Sequence, residues 1–392
     1  MNSVRAILAT AAAIMSFAVA APASQAGDSL SARLSDTLDV FGDRYDFPGA
    51  TAAIALPDGR LVTAATGLAD VEAGREMTPG TRMLAASIGK TFVGATVLTL
   101  ESEGRLSQSD LLADYLGDRR WFSDLPNADT ITLEHLLRHR SGLPDHPHLP
   151  EFQEAASARI AAGAPAFSPG ESLSFVLGRE PLFEAGTAWS YSDTGYILLG
   201  LVIEEVTGRP YYSVLQERFL HPLGLTGTIP SDRQDLPDLA VGYTIPDNPF
   251  DLPIRTADAD GRLVWDPAVE WTGGGLASTS HDLARWGHLL FRGHAMTTPY
   301  LDRLLDGVQV APDAPGTLYG AGVAIYAETP HGPVYGHGGW IPGYVSSLRH
   351  YADYGVTVAF QINSDAGIVD DSSDLVPELE AALAGLAIDE VR

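Results

Sequence analysis

The sequence predicts an α/β protein of the α+β type, in which an antiparallel sheet is built from both ends of the chain, flanked by helices, and an all-helical lobe is inserted. Runs of β-forming residues occur at 50–67 and again at 318–363. From about 104 to 299 the chain instead shows helical spacings and long loops rich in proline and glycine. Strands at both ends with a helical middle imply a single sheet.

The length of the chain indicates two lobes. Its 392 residues exceed what one hydrophobic core usually serves. Within residues 27–392 we expect a sheet lobe of about 27–86 and 300–392, and a helical lobe of about 104–299. A helix predicted from residue 87 would lie where the lobes meet, and clefts between lobes are the usual place for small-molecule sites.

The individual elements follow from local patterns. Residues 29–47 place leucine and aromatic side chains at helical spacing and predict an amphipathic helix. Residues 50–56 and 60–67 flank a Pro-Asp-Gly turn and predict a hairpin. Residues 87–103 are apolar nearly all round, which is typical of a buried helix. Further helices are predicted at 131–142, 194–207, 211–220, 280–291 and 370–387, and further strands at 318–328, 334–340, 344–351 and 356–363.

The first 26 residues are typical of a secretory signal. Arg5 supplies a positive charge, residues 6–20 form a short apolar run, and small residues suited to cleavage end at Ala20 or Ala26. The run is too short for a transmembrane span. No cysteine occurs in the chain, which excludes a lipid-anchored cysteine and disulfides. We therefore expect a periplasmic or secreted protein without a stable membrane anchor.

The chain is strongly acidic. It carries 24 lysine and arginine residues against 50 aspartate and glutamate residues, for a net charge of −26. Such a surface repels nucleic acid and anionic membranes, so we expect neither as a partner.

A serine and a lysine indicate nucleophilic chemistry. Lys90 is the only lysine in the chain, and it follows Ser87 by three residues. Positions three apart share a helix face, so the ammonium can reach the hydroxyl. In the first turn of a helix, unpaired N–H groups would also favour a developing oxyanion. The pattern therefore predicts an activated serine, although a serine at this position can also simply cap the helix.

Two later stretches complete a recognisable set. Residues 87–90 are Ser-Ile-Gly-Lys, residues 191–193 are Tyr-Ser-Asp, and residues 337–339 are His-Gly-Gly. In this order and with this spacing, the chain resembles the family of serine β-lactamases, D-alanyl-D-alanine carboxypeptidases and related esterases and D-aminopeptidases. It resembles the class C β-lactamase and carboxypeptidase branch in particular, from about residue 47 to 365. The resemblance implies the β-lactamase/transpeptidase-like fold.

The resemblance also implies a role for each motif. Ser87 attacks a carbonyl and forms an acyl-enzyme that water releases, while Lys90 and Tyr191 move the proton. The backbone N–H groups of Ser87 and Trp340 form the oxyanion hole. His337 replaces the lysine of many β-lactamases and, because histidine titrates near neutrality, would make activity pH-dependent. No cofactor and no metal are implied.

Asp193 departs from the family pattern, in which asparagine is usual. Its carboxylate can accept a hydrogen bond from Lys90 but cannot donate an amide N–H to a substrate. It would hold Lys90 charged and shift the role of base toward Tyr191. Alternatively, Asp193 only caps the helix that follows it.

The third motif departs as well. Asp193, Gly338, Gly339 and Trp340 are the predicted substrate-binding residues, but carboxypeptidases and β-lactamases often place hydroxyl residues at 338–340 to hold a substrate carboxylate. Their absence puts penicillin turnover in doubt, and an ester or an amide without that carboxylate fits at least as well.

The leading hypothesis is thus a secreted serine hydrolase that cleaves small D-amino-acid peptides or amides, like a D-alanyl-D-alanine carboxypeptidase or D-peptidase. A carboxylesterase and a β-lactamase on the same scaffold are alternatives. A fourth hypothesis is a non-catalytic protein that binds wall peptides, if Asp193 has disabled turnover. The expected partner is a small peptide, amide or ester.

Overall fold

The computed structural model describes residues 29–367 and 373–392. The predicted signal, residues 1–26, lies outside this part of the chain, as does the predicted start of the last helix at residue 370. Within the described ranges, no helix is long and apolar enough to cross a membrane.

The described residues form twelve strands and eleven α-helices. The strands are β1 (Gly49–Ala55), β2 (Leu61–Asp70), β3 (Arg75–Glu76), β4 (Met83–Leu84), β5 (Ile229–Pro230), β6 (Leu276–Ser278), β7 (Val308–Gln309), β8 (Thr317–Tyr319), β9 (Ala324–Tyr326), β10 (Val334–Ile341), β11 (Tyr344–Tyr351) and β12 (Val356–Ile362). The helices are α1 (Leu30–Tyr45), α2 (Gly89–Ser102), α3 (Ala113–Leu116), α4 (Leu133–Leu137), α5 (Pro150–Ala161), α6 (Pro169–Ser174), α7 (Asp193–Thr207), α8 (Tyr211–Leu215), α9 (Ser280–Phe291), α10 (Leu301–Leu304) and α11 (Leu375–Val391).

Both ends of the chain meet in one antiparallel sheet, as the sequence predicts. The order of its strands in the described residues is β3-β2-β1-β12-β11-β10-β9-β8-β7. The N-terminal and C-terminal parts of the chain meet where β1 pairs with β12, with Ala50 opposite Ile362 and Ala55 opposite Thr357. The three remaining strands, β4, β6 and β5, form a separate small sheet.

The central strands are buried on both faces. All seven residues of β1 are buried, as are all of β11 and β12. Because successive side chains of a strand point to opposite faces, Ile54 packs in a core with α1 and α11, whereas Ala53 packs in a core that includes α9. Helices therefore cover the sheet on both sides, which explains why these strands are nearly continuous apolar runs.

Helix α2 lies deep in the core between the sheet and the helical part of the chain. Eleven of its fourteen residues are buried, so it lacks the polar face of a surface helix. Phe92 stacks on Trp286 of α9 with ring centroids 3.9 Å apart, and the indole N–H of Trp286 donates to the Thr91 hydroxyl at 2.8 Å. These contacts hold α2 in a fixed position behind the sheet.

Several boundaries differ from the sequence prediction. The helix predicted to run to residue 142 ends at Leu137, because His139 adopts a left-handed backbone conformation (φ 57°). The strand predicted at 318–328 is divided into β8 and β9 by a turn that includes Gly322 (φ 79°). Helices α5 and α6 and the small sheet were not predicted. Helix α6 carries a readable signal, since Ser168 and Glu171 form a capping box.

Glycine at position 94 allows the close approach of α2 to the chain before β9. A methyl group there would lie 2.1 Å from the Ala321 carbonyl oxygen, so we expect Gly94→Ala to destabilise the protein by about 1–3 kcal/mol through overpacking. Gly385 in α11 is a matched control, because nothing lies within 4 Å of a methyl group there. Gly385→Ala should be neutral or stabilising by about 0.5–1 kcal/mol. Thermal unfolding followed by circular dichroism compares the two, and equal effects would contradict this packing.

Candidate active site

Ser87 lies just before α2 rather than inside it. It is the middle residue of a short 3-10 turn, Ala86–Ile88, and α2 begins at Gly89. The preceding Ala86 has φ 48°, a conformation that costs a residue with a Cβ about 1–2 kcal/mol. This strained turn presents Ser87 at the wall of a cavity.

Lys90 is completely buried and its ammonium is surrounded by acceptors. It donates to Ser87 Oγ at 3.0 Å, lies 2.5 Å from Asp193 Oδ1, and donates to the Gly273 carbonyl. An ammonium has three protons to donate. The number of these neighbouring oxygens therefore matches the number of protons on the ammonium.

Asp193 pairs with Lys90 and does not cap a helix through its side chain. It is the first residue of α7, and Ser192 occupies the N-cap position. Its own N–H donates to Asp145 Oδ1 at 2.8 Å. Burial acts to raise the pKa of Asp193, but the Lys90 ammonium outweighs burial and brings it below the ordinary value of 3.8.

Tyr191 contributes a neutral phenol. Its ring centroid is 5.0 Å from Lys90 Nζ, and its hydroxyl oxygen is buried without a hydrogen-bond partner among the described residues. Burial and then the charge of Asp193 raise the pKa of Tyr191 well above 10.0. The phenolate is thus strongly disfavoured at neutral pH.

His139 holds the segment that carries Tyr191, a role that the sequence analysis missed. Its ring lies 4.1 Å from the Tyr191 ring, and its Nδ1 accepts the Ser192 N–H at 3.1 Å. Its carbonyl accepts the Ser190 N–H at 3.0 Å. The sequence offers only a histidine before a Ser-Gly-Leu-Pro turn, with no signal that links it to a tyrosine 52 positions later.

His337 lies on β10 with both ring nitrogens occupied. Its Nε2 accepts from the Tyr319 hydroxyl at 2.8 Å, and its Nδ1 lies 2.5 Å from the Gly338 carbonyl oxygen. Burial, followed by the charge of Lys90, lowers the pKa of His337 to about 3. The expectation that this histidine titrates near neutrality is therefore wrong: the imidazole stays neutral across the physiological range.

The end of β10 packs against the segment that leads into Ser87. A methyl group at Gly339 would lie 2.3 Å from the Ala85 carbonyl oxygen, so only glycine permits this approach. Trp340 follows, and its indole N–H donates to Asp365 Oδ2 at 3.2 Å. Gly338 and Trp340 both line the same cavity as Ser87. The structure therefore brings all eight sequence-predicted site residues into one region.

The cavity has a volume of about 400 Å³ and a mainly apolar wall. Its apolar side chains come from α5, from the loops around residues 164–167 and 249–269, and from the end of β10. They include Phe152, Ile160, Phe167, Phe250, Leu252, Trp265 and Ile341. A site of this size and lining suits a small molecule with a bulky apolar group.

Glu270 is a second residue of the site that the sequence analysis missed. It lines the cavity, and its Oε2 is buried without a hydrogen-bond partner in residues 29–367 and 373–392. Burial raises the pKa of Glu270 from 4.5 to about 8, with Lys90 acting in the opposite direction and Asp193 adding to the rise. A carboxyl with such a pKa in a cavity is a candidate functional group.

Comparison with known proteins agrees with the geometry. The sequence profile of the β-lactamase family matches residues 34–383. A penicillin-binding protein of Bacillus subtilis (strain 168) is 25% identical over 341 residues, which is 85% of this chain and 71% of that protein. A D-aminopeptidase of Gluconobacter oxydans is 28% identical over 345 residues, 86% of this chain. The chain spans 59% of the length of that D-aminopeptidase.

A solved structure is similar as well. It is that of a D-stereospecific amidohydrolase from Streptomyces sp., with a TM-score of 0.74 and 26% sequence identity. The match covers 88% of this chain and 98% of that one.

Asp193→Asn should destabilise the protein at pH 7. Removing the partner of a fully buried ammonium costs about 3 kcal/mol. The pKa of Asp193 lies below 3.8 in the folded protein, so its stabilising contribution is present above that pH and is lost as the pH falls through the folded value. Urea unfolding at pH 7 and pH 3 should show a penalty that shrinks at pH 3.

The control for this substitution is Ser87→Ala, which leaves the ion pair of Lys90 and Asp193 in place and should unfold close to wild type. An Asp193→Asn protein as stable as wild type at pH 7 would show that the ion pair contributes nothing.

Glu270→Gln should gain stability relative to wild type as the pH rises. The pKa of Glu270 is higher in the folded protein, about 8 against 4.5. The stabilising contribution of its neutral form is present below pH 4.5 and is lost as the pH rises through about 8. Thermal unfolding at pH 5 and pH 9 should shift the difference in Tm in favour of the variant at pH 9. The exposed Glu154→Gln is the control, and the same shift in both variants would refute the assignment.

Proposed function

The chain belongs to the β-lactamase family of serine hydrolases, and on that premise we propose that it hydrolyses amides and short peptides of D-amino acids with apolar side chains. The observation that carries the proposal is the apolar cavity that opens onto Ser87 beside the pair of Lys90 and Asp193. The cavity supplies room for a bulky side chain, and the ion pair supplies the charge that an attacking serine needs.

In the proposed reaction, Ser87 Oγ attacks the amide carbonyl and forms an acyl-enzyme. Lys90 acts as an ammonium, because Asp193 pairs with it, and stabilises negative charge that develops on Oγ. Tyr191 is neutral and its hydroxyl is free, so it acts as a relay: its oxygen receives the Ser87 proton while its own proton passes to the leaving nitrogen. The amine leaves, and water attacks the acyl-enzyme by the reverse relay.

The proposed oxyanion hole consists of the backbone N–H groups of Ser87 and Trp340. The turn at 86–88 and the end of β10 pack against each other through Gly339, which supports this placement. His337 is proposed as a neutral group that orients the end of β10, through its contacts with Tyr319 and Gly338.

Recognition of a substrate carboxylate finds less support. Arg159 lines the cavity, but its guanidinium pairs with Glu171 at 2.9 Å and stacks over the Phe167 ring at 4.1 Å. A carboxypeptidase or a β-lactamase needs a cation or hydroxyl groups for the carboxylate of its substrate. The proposal therefore favours an amide, in agreement with the names of the D-aminopeptidase and the D-stereospecific amidohydrolase.

A carboxylesterase is the second candidate. The apolar wall formed by Phe152, Phe250 and Trp265 suits an acyl chain as well as an aromatic side chain. An ester also has a better leaving group than an amide, so its cleavage depends less on proton transfer through Tyr191 to the leaving atom.

We propose that the protein is exported to the periplasm or the medium. Support comes from residues 1–26, whose charge, apolar run and small residues are typical of a cleavable signal.

Turnover of D-phenylalaninamide and its L enantiomer tests the proposed function. Ammonia release should be confined to the D form, and Ser87→Ala should lower it on the order of 10⁴-fold. Ser102→Ala, on the same helix, is the matched control and should retain activity.

A fluorophosphonate probe, followed by intact mass, should add one adduct that disappears in Ser87→Ala. Turnover of phenylpropionyl esters without turnover of either amide would favour the esterase instead. The absence of both the adduct and turnover would reject an enzyme and favour a binding protein.

A further inference from the structure

We propose that Glu270 binds the protonated α-amino group of the substrate, so that the site takes D-amino-acid amides and peptides with a free amino terminus. This inference rests on the proposed function, because it names a chemical feature of the same substrate. It concerns a residue outside the three motifs, contributed by the loop between the short 3-10 turns Pro267–Val269 and Trp271–Gly273.

Glu270 lies beside the nucleophile. A methyl group at Gly274 would be 2.7 Å from Glu270 Oε1 and 2.6 Å from the carbonyl carbon of Ala86. The carboxyl group is therefore next to the peptide that leads into Ser87, and it lines the cavity that Ser87 lines. A group recognised by Glu270 must lie close to the carbonyl that Ser87 attacks. The α-amino group meets this condition, because one carbon separates it from that carbonyl.

The other acids of the cavity already have partners. Asp193 pairs with Lys90. Asp266 accepts the Ala166 N–H at 3.0 Å with one oxygen and the Ala268 N–H at 3.1 Å with the other. Glu270 Oε2 is buried and accepts no hydrogen bond from any described residue. A buried carboxyl oxygen without a hydrogen-bond partner is costly, and an observed one calls for an explanation.

A cation explains this carboxyl better than a neutral donor does. Lys90 cannot serve, because its ammonium donates to Ser87 Oγ and the Gly273 carbonyl and lies 2.5 Å from Asp193 Oδ1. A water or an amide N–H would supply a hydrogen bond but no charge. An ammonium supplies both, and charge-assisted hydrogen bonds are about twice as strong as neutral ones. The apolar wall around the cavity would at the same time hold the side chain of the same amino acid.

Binding to the catalytically silent Ser87→Ala protein tests the inference. The probes are D-phenylalaninol, an amine that is protonated at pH 7, and 3-phenylpropan-1-ol, which lacks the amino group. Isothermal titration should show the amine binding about tenfold or more tighter than the alcohol. Adding Glu270→Gln should abolish that preference and leave the affinity for the alcohol unchanged.

Proton release provides a readout that a structural role would not alter. Burial raises the pKa of Glu270 to about 8, so the free carboxyl is largely protonated at pH 7. The bound ammonium would lower that pKa, and binding should release up to about one proton. Titrations in phosphate and in Tris, which differ in ionisation enthalpy, measure the release. The Glu270→Gln protein should release none.

Asp266→Asn is the matched control, because Asp266 lines the same cavity with both oxygens occupied; it should keep the preference for the amine.

The inference is overturned if the amine binds no tighter than the alcohol, if neither binds, or if Glu270→Gln weakens both ligands equally. Because Ser87→Ala is silent, the result is independent of catalysis. If the fluorophosphonate probe fails to label wild type but the amine still binds more tightly than the alcohol, the proposed reaction alone is rejected. If the probe labels wild type but the amine binds no tighter than the alcohol, the role of Glu270 alone is rejected.

Discussion

The site depends on the burial of one ammonium. Lys90 lies in α2 with no access to water, so its charge must be balanced entirely by protein groups. Those groups come from three separate parts of the chain: the turn before α2 (Ser87), the start of α7 (Asp193) and the loop before β6 (Gly273). A displacement of any one of them would leave a buried charge uncompensated. The ion pair therefore fixes the position of the elements that form the cavity, and in the proposed reaction it also supplies the charge that acts on Ser87.

This arrangement constrains the chemistry. An ammonium held by a carboxylate is a poor base, and the phenol of Tyr191 and the imidazole of His337 are both kept neutral by burial. A neutral phenol can accept one proton while it donates another. A concerted proton transfer through Tyr191 therefore fits the site better than a mechanism in which a Tyr191 phenolate acts as the base. Glu270 differs from Tyr191 and His337, because burial raises the pKa of this cavity-lining carboxyl from 4.5 to about 8.

The sequence predicted the sheet and the motifs well and the helical middle less well. Strands β11 and β12 are apolar runs bounded by turn residues, so their ends could be assigned to within one residue. Serine and lysine three positions apart share a face in any helical turn, so the contact between Ser87 and Lys90 could be predicted from their spacing in the sequence. Asp193 could not be assigned between capping and pairing, because that choice depends on where a helix 100 residues earlier lies. The buried residues of helix α5 are Phe152 and Ala156, and one such pair does not produce a clear period.

Glu270 shows most clearly what periodicity and motifs cannot supply. Glutamate is ordinarily an exposed residue, and nothing in its neighbours predicts that one of its carboxyl oxygens is buried. The packing of Gly274 against Ala86 places Glu270 beside the nucleophile. Three acids line the cavity: Asp193 and Asp266 have partners within the protein, whereas Glu270 Oε2 accepts no hydrogen bond from the described residues. In the proposed reaction, Asp193 acts through its pair with Lys90, which is already formed before the substrate arrives. Glu270 can instead gain its partner from the substrate, and this difference separates the proposed role of Asp193 in catalysis from the proposed role of Glu270 in selectivity.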